Sequence, residues 1–169
     1  MPATPADLFR CLTNGLYVVG VAHADRRDAF TAAWITHVSF EPLLLALSIN
    51  PTHASYPILV AGGVFTINIL RRGQLDLARH FGTQSGREVD KLRAQRWEPA
   101  IGGAPILLDA AACLECRIVG RHPAGDHELI VGQAVGGRVL DPAAEPMTYA
   151  ETGNLDGSAE LFPAGFTQR

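Results

Sequence analysis

Ala110-Ala-Ala-Cys-Leu-Glu-Cys-Arg-Ile-Val119 and Glu128-Leu-Ile-Val-Gly-Gln-Ala-Val-Gly-Gly-Arg-Val139 flank the short stretch His122-Pro-Ala-Gly-Asp-His127. The flanks read as two long strands, and the Pro, Gly and Asp between them as a turn. Working outward, Val64 to Leu70 alternates as a strand should. Leu43 to Ile49, closed in by Glu41-Pro42 and Asn50-Pro51, is too short and too sharply bounded for a helix and reads as a buried strand. Phe30 to Val38 is extended, and Gly15 to Val21 is a β-rich apolar run. The polar turn Ala24 to Asp28 joins these two into a hairpin. Helical spacing is confined to short pieces: Ala6 to Leu12, Pro57 to Ala61 ending at Gly62-Gly63, and Gln74 to Phe81. The charged stretch Ser85 to Leu92 has the look of one more helix start. Residues 94–109 read as irregular and 141–169 as loop, with one strand at Met147 to Ala150. Six or seven strands without full-length helices between them exclude a doubly wound parallel sheet and fit an antiparallel, Greek-key β-barrel. No linker, repeat or low-complexity tract divides the chain, so residues 1–169 are expected to form a single domain, with the barrel at about 15–150 and a tail at 151–169.

The chain's 169 residues suffice for a core that needs no disulfide or metal staple. A net charge of −3, with no basic run longer than Arg26-Arg27 and Arg71-Arg72, argues against a nucleic-acid partner. No apolar run approaches a bilayer span and the N-terminus carries no export signal, so the expected compartment is the cytoplasm, with no membrane partner. Cys113-Leu-Glu-Cys116 has C-x-x-C form, but on a strand residues three apart face opposite ways. With Cys11 the cysteine count is odd, and all three are expected to be free thiols. The six histidines never fall at metal-ligand spacing, so no metal is expected. Dinucleotide, P-loop and nucleophile-elbow signatures are absent.

Four places carry chemistry. In Phe30-Thr-Ala-Ala-Trp-Ile-Thr36, small residues around an aromatic would let a flat ligand lie along backbone N–H and C=O groups; a half-buried strand with a core Trp explains the same residues. The loop from Ser48 and Ile49 through Asn50, Pro51, Thr52, His53 and Ser55 to Tyr56 enters a helix and offers donors to an anion; an ordinary N-cap at Ser55 is the alternative. Ser85-Gly-Arg-Glu-Val-Asp-Lys91 sets Arg87 and Lys91 near a glycine, enough for one phosphate or one anionic ring edge, but taken alone a solvated helix start with mutual salt bridges accounts for it better. In Gly125-Asp-His127, a histidine sits accessible at a hairpin tip, where a β-turn alone also accounts for the Gly and Asp.

Together these pieces resemble the flavin-reductase-like, split-barrel FMN-binding proteins, notably flavoredoxin and the small reductase components of two-component monooxygenases. The resemblance spans about Gly15 to Tyr149. It rests on Ala33-Trp-Ile-Thr36, Pro42-Leu-Leu-Leu-Ala-Leu-Ser48, Phe65-Thr-Ile-Asn68, Ser85-Gly-Arg-Glu-Val-Asp-Lys91, Leu114-Glu-Cys-Arg117 and Gly125-Asp-His-Glu-Leu-Ile-Val-Gly132, in order. It implies a Greek-key split barrel, a homodimer, and non-covalent FMN reduced by NAD(P)H, with hydride passing to flavin N5. It also implies an oxygenase or redox protein as partner. Trp34 would border the flavin ring, with the backbone of Ala33, Ile35 and Thr36 along its edge. Ser55 and the Asn50 to His53 loop would hold the phosphate, and Lys91 would contact flavin or phosphate. His127 would face the ring where nicotinamide docks, and Phe162 would cover the site from the other subunit. Relatives tend to have Asn where this chain has Asp28. A second reading keeps the FMN but drops the nicotinamide site, leaving an electron-transfer protein; a tail folded over the flavin face would favour it.

Overall fold

The computed structural model describes residues 3–166. After a one-turn helix, α1 (Pro5–Phe9), the chain forms β1 (Tyr17–His23) and β2 (Arg26–Ala32), then β3 (Ile35–Ser39) and β4 (Leu44–Ile49). Helix α2 (Tyr56–Gly62), β5 (Val64–Ile69) and α3 (Leu75–Gly82) follow. A small ribbon of β6 (Trp97–Pro99) and β7 (Pro105–Leu107) precedes the long hairpin of β8 (Ala112–Ala124) and β9 (His127–Val139). The main sheet has the order β2-β1-β5-β8-β9-β4-β3, and every pairing in it is antiparallel.

Its two edge strands, β2 and β3, are consecutive in the chain. Ala32 ends the ladder with β1 opposite Tyr17, and Ile35 opens the ladder with β4 opposite Leu47. Only Ala33 and Trp34 lie between, so the chain steps from one edge of the sheet to the other and rolls it into a barrel split at that step. The single extended run expected over Phe30 to Val38 is therefore two strands, because its halves pair with partners at opposite ends of the sheet. The architecture is the mainly β, Greek-key split barrel that the resemblance implies.

The long hairpin also departs in detail from the sequence reading. Its strands continue to Ala124 and His127, leaving only Gly125-Asp126 as the turn. Gly125 has φ 67°, the left-handed value that a two-residue type II′ turn asks of its first residue. Residues 85–92 form turns rather than a helix, residues 97–107 hold the small ribbon, and the expected strand at Met147 to Ala150 shrinks to isolated bridges, Gly15 to Thr148 and Arg71 to Pro146.

Burial explains the patterns. β1 is buried on both faces: Val19 and Val21 point into the barrel with Phe65, Leu47 and Ile130, while Val18 packs outside it with Ala78, Phe81, Leu107 and Met147. Each such large side chain contributes roughly 2 kcal/mol by leaving water. Asn68 stitches the ribbon onto the sheet, accepting from Leu107 N (2.7 Å) and donating to Val18 O (3.0 Å). Cys116 faces the barrel interior, Cys113 the opposite side of β8, and both are free. Burial pushes the Cys116 thiol up to about 12 and the Cys113 thiol up as well. No described helix is long and apolar enough to cross a membrane.

Candidate functional site

β4 alternates strictly. Leu45, Leu47 and Ile49 fill the barrel, so Ala46 and Ser48 face outward. These two small side chains floor a cleft of about 310 Å³ walled by Trp34, Ile35, Thr36 and Leu129. Ser48 N donates to Trp34 O at 3.0 Å, holding the barrel's split against the floor. The roof comes from the two chain ends. Helix α1 contributes Phe9 and Arg10, and the tail contributes Tyr149, Asn154, Ser158, Ala159 and Phe162. α1 is fixed by a capping box between Thr4 and Asp7. The tail is braced by the Tyr149 hydroxyl against Ser158 (2.6 Å) and Asp156 (3.1 Å). Phe9 and Phe162 meet with ring centroids 5.1 Å apart. At the edge of the cleft the His127 ring lies 5.0 Å from the Trp34 ring. Its Nδ1 sits 2.7 Å from Asp126 Oδ1, a contact that holds the Asp126 carboxyl below the usual carboxylate range.

A second, polar cleft of about 250 Å³ is lined by Arg27, Asp28 and residues 86–92. Lys91 is 1% exposed; its Nζ lies 3.2 Å from Asp28 Oδ1, yet is aligned for a hydrogen bond with no acceptor. Asp28 accepts from Ala29 N (2.8 Å) at Oδ1 and from the Ser55 hydroxyl (2.6 Å) at Oδ2. His53 Nδ1 accepts from Ser55 N at 3.2 Å, and its ring packs on Phe30 at 4.7 Å. Burial and the Lys91 ammonium push the His53 pKa down, so at neutral pH the imidazole is uncharged. Asn50 Oδ1 accepts from both Thr52 N (2.9 Å) and Thr52 Oγ1 (2.8 Å), and Arg87 Nη2 donates to Thr52 O (3.2 Å).

The sequence-predicted residues thus fall into two groups. Trp34, Ile35, Thr36, Ser48 and Phe162 line the apolar cleft; Asp28, Arg87 and Lys91 line the polar one, with Asn50, His53 and Ser55 behind them. The end of β4 and the Asn50–Thr52 turn connect the two. The Ala33 side chain packs against the outer core, which leaves to a ligand only the backbone that the resemblance assigns to it. Other side chains are not where the sequence reading put them. Ile49 packs inside the barrel, and Pro51 lies exposed in the turn. Ser55 is fully buried; it stands at the N-cap position of α2 without capping it, and its hydroxyl serves Asp28. Phe162 covers the cleft of its own chain. Sequence reasoning missed Ala46, Leu129 and the α1 roof. The small-large alternation in Leu45-Ala-Leu-Ser-Ile49 signals the first, and Leu129, two residues past His127 on the same strand face, follows from the strand period. Nothing in Pro5–Phe9 shows where the helix lands. Among the described residues no three His, Cys, Asp or Glu side chains gather as metal ligands would.

Comparison with known proteins agrees with this geometry. The chain is 33% identical over 143 residues to the putative diflavin flavoprotein A 3 of Nostoc sp., a match that covers 82% of this chain and 25% of that protein, so the chain spans about a quarter of that relative's length. It is 32% identical over 123 residues to the FMN reductase (NADH) RutF of Variovorax paradoxus, covering 73% of this chain and 67% of that one. The NADH:FAD oxidoreductase SgcE6 of Streptomyces globisporus superposes with a TM-score of 0.78 at 28% identity, covering 96% of this chain and 89% of the other. The flavin reductase like domain matches residues 9–156, and the chain belongs to that family.

Proposed function

We propose that this chain is an FMN-binding oxidoreductase of the NAD(P)H:flavin reductase type, residues 1–169 acting as one domain. The observation that carries the reading is the pair of clefts at either side of the Asn50–Thr52 turn: an apolar slot over Ala46 and Ser48 of β4, and a polar cleft, reached by the Arg87 contact to Thr52 O, that holds a buried cation, Lys91, whose Nζ has no aligned acceptor among the described residues. A flat ring with a phosphate tail suits that arrangement. Trp34, Leu129 and the roof would exclude water from the ring. The Thr36 and Ser48 hydroxyls would meet its polar edge, and Lys91 and Arg87 would face the phosphate. Bound FMN supplies the hydride-accepting centre. The protein orients a nicotinamide against it and tunes nearby charge. His127, held by Asp126 at the open edge beside Trp34, is the group we assign to nicotinamide docking. Relatives named as an NADH-dependent FMN reductase and an NADH:FAD oxidoreductase support NAD(P)H as co-substrate. A homodimer, and an oxygenase or redox protein that receives the electrons, belong to the same proposal.

One observation favours a second reading. The tail and α1 lie over the apolar cleft, which narrows the approach of a nicotinamide and suits a protein that exchanges electrons without NAD(P)H. Steady-state oxidation of NADH and NADPH by the FMN-loaded protein tests the choice. Turnover that depends on added flavin supports the reductase. No oxidation of either nucleotide, with flavin bound, leaves the electron carrier.

A further inference from the structure

We propose that Asp28 is an internal competitor for the anion that Lys91 would otherwise hold, and that it makes flavin binding weak and exchangeable. This rests on the flavin reading above. A main-chain N–H from Ala29, a hydroxyl from Ser55 and the Lys91 ammonium converge within 3.2 Å of the Asp28 carboxylate. That is the donor set of an anion site, and its occupant is the chain's own side chain. The packing is close: a Cβ at Gly86 would fall 2.3 Å from Asp28 Oδ2, so only glycine lets the 85–91 segment lie over the carboxylate. Asp28 is 5% exposed and Ser55 and Lys91 less, so water screens this charge poorly.

A phosphate entering the polar cleft does not meet a free cation. It shares Lys91 with a carboxylate and is repelled by that carboxylate at short range. Capacity remains for it, because among the described residues Lys91 Nζ makes no hydrogen bond and the Arg87 guanidinium donates only to Thr52 O. Binding is therefore possible but opposed, as suits a flavin that comes and goes as a substrate. Asp28→Asn keeps the shape and the acceptor for Ala29 N–H while removing the charge. It should tighten FMN roughly tenfold or more, since two anions that share one ammonium in a poorly screened site repel by more than the energy of one decade.

The test is a pair of titrations, FMN and riboflavin, each against the wild type and Asp28→Asn, read by flavin fluorescence. Riboflavin lacks the phosphate. The expected result is tighter FMN binding by the variant with riboflavin unchanged. Unchanged or weaker FMN binding by the variant, with the wild type binding FMN in the same experiment, overturns the proposal and leaves the flavin reading standing. If neither protein binds either flavin, the flavin reading falls and this proposal with it. Should the variant fail to fold because Lys91 has lost its counterion, it is refolded with inorganic phosphate or with chloride at equal ionic strength. Rescue by phosphate alone supports the proposal, since the ion then takes the carboxylate's place. Failure of phosphate to rescue it contradicts the proposal.

Discussion

At the scale of single residues, Ser55 has a structural duty that its place in a ligand loop conceals. Its hydroxyl is a hydrogen-bond donor to the buried Asp28. Ser55→Ala leaves one carboxylate oxygen without that donor and should destabilise the fold by about 2 kcal/mol, read as a lower urea midpoint at unchanged slope. An unshifted midpoint would mean the bond carries no stability. His127 is a different case, because it stands at the cleft's edge and its partner Asp126 is exposed. His127→Ala should slow reduction by NAD(P)H more than it weakens FMN binding, and equal losses would remove it from nicotinamide docking. The cysteines divide by burial. A thiol reacts as its thiolate, so Cys116, pushed up to about 12, and Cys113, pushed up by burial, stay protonated at about pH 8. A thiol reagent should therefore label one cysteine, the exposed Cys11, in the native protein and three after unfolding. Two or more labelled in the native state would contradict this.

At the scale of elements, the roof of the apolar cleft is the least expected feature. Phe162→Ala removes the Phe9 contact and opens the slot, so riboflavin and FMN should both bind several-fold more weakly. A loss confined to FMN would place the tail near the phosphate instead. The strands of the main sheet were legible because apolar runs bounded by Pro, Gly and Asp leave few alternatives, and the Gly125-Asp126 turn was visible in its residues. The β6–β7 ribbon was hidden by Pro99, Gly102-Gly103 and Pro105. Two further features were not legible. Where Phe30 to Val38 breaks depends on which strands its halves pair with, a long-range fact. Where α1 and the tail land depends on a handful of contacts at the chain ends, and no periodicity announces them. Similarly, the direction of the Ser55 side chain was not legible, because a buried partner 27 positions away in sequence claims its hydroxyl.

At the scale of the whole molecule, one hairpin stands out. Phe40 is 96% exposed at the β3–β4 end, next to the half-exposed Val38 and Leu43. The proposed homodimer would cover such a face. Sedimentation should give about twice the chain mass of 18.1 kDa, and Phe40→Glu should return it to the monomer; a dimer untouched by that change would place the interface elsewhere. The barrel itself sets the ring slot on β4 and the buried Lys91 of the 85–92 turns beyond it, and the reductase reading depends on that pairing. Its most direct test is anaerobic. FMN-loaded protein, freed of excess flavin, is mixed with NADH and then NADPH while the visible flavin absorbance is followed. The account predicts rapid bleaching by at least one of the two. A yellow protein that ignores both and bleaches only with dithionite would contradict it.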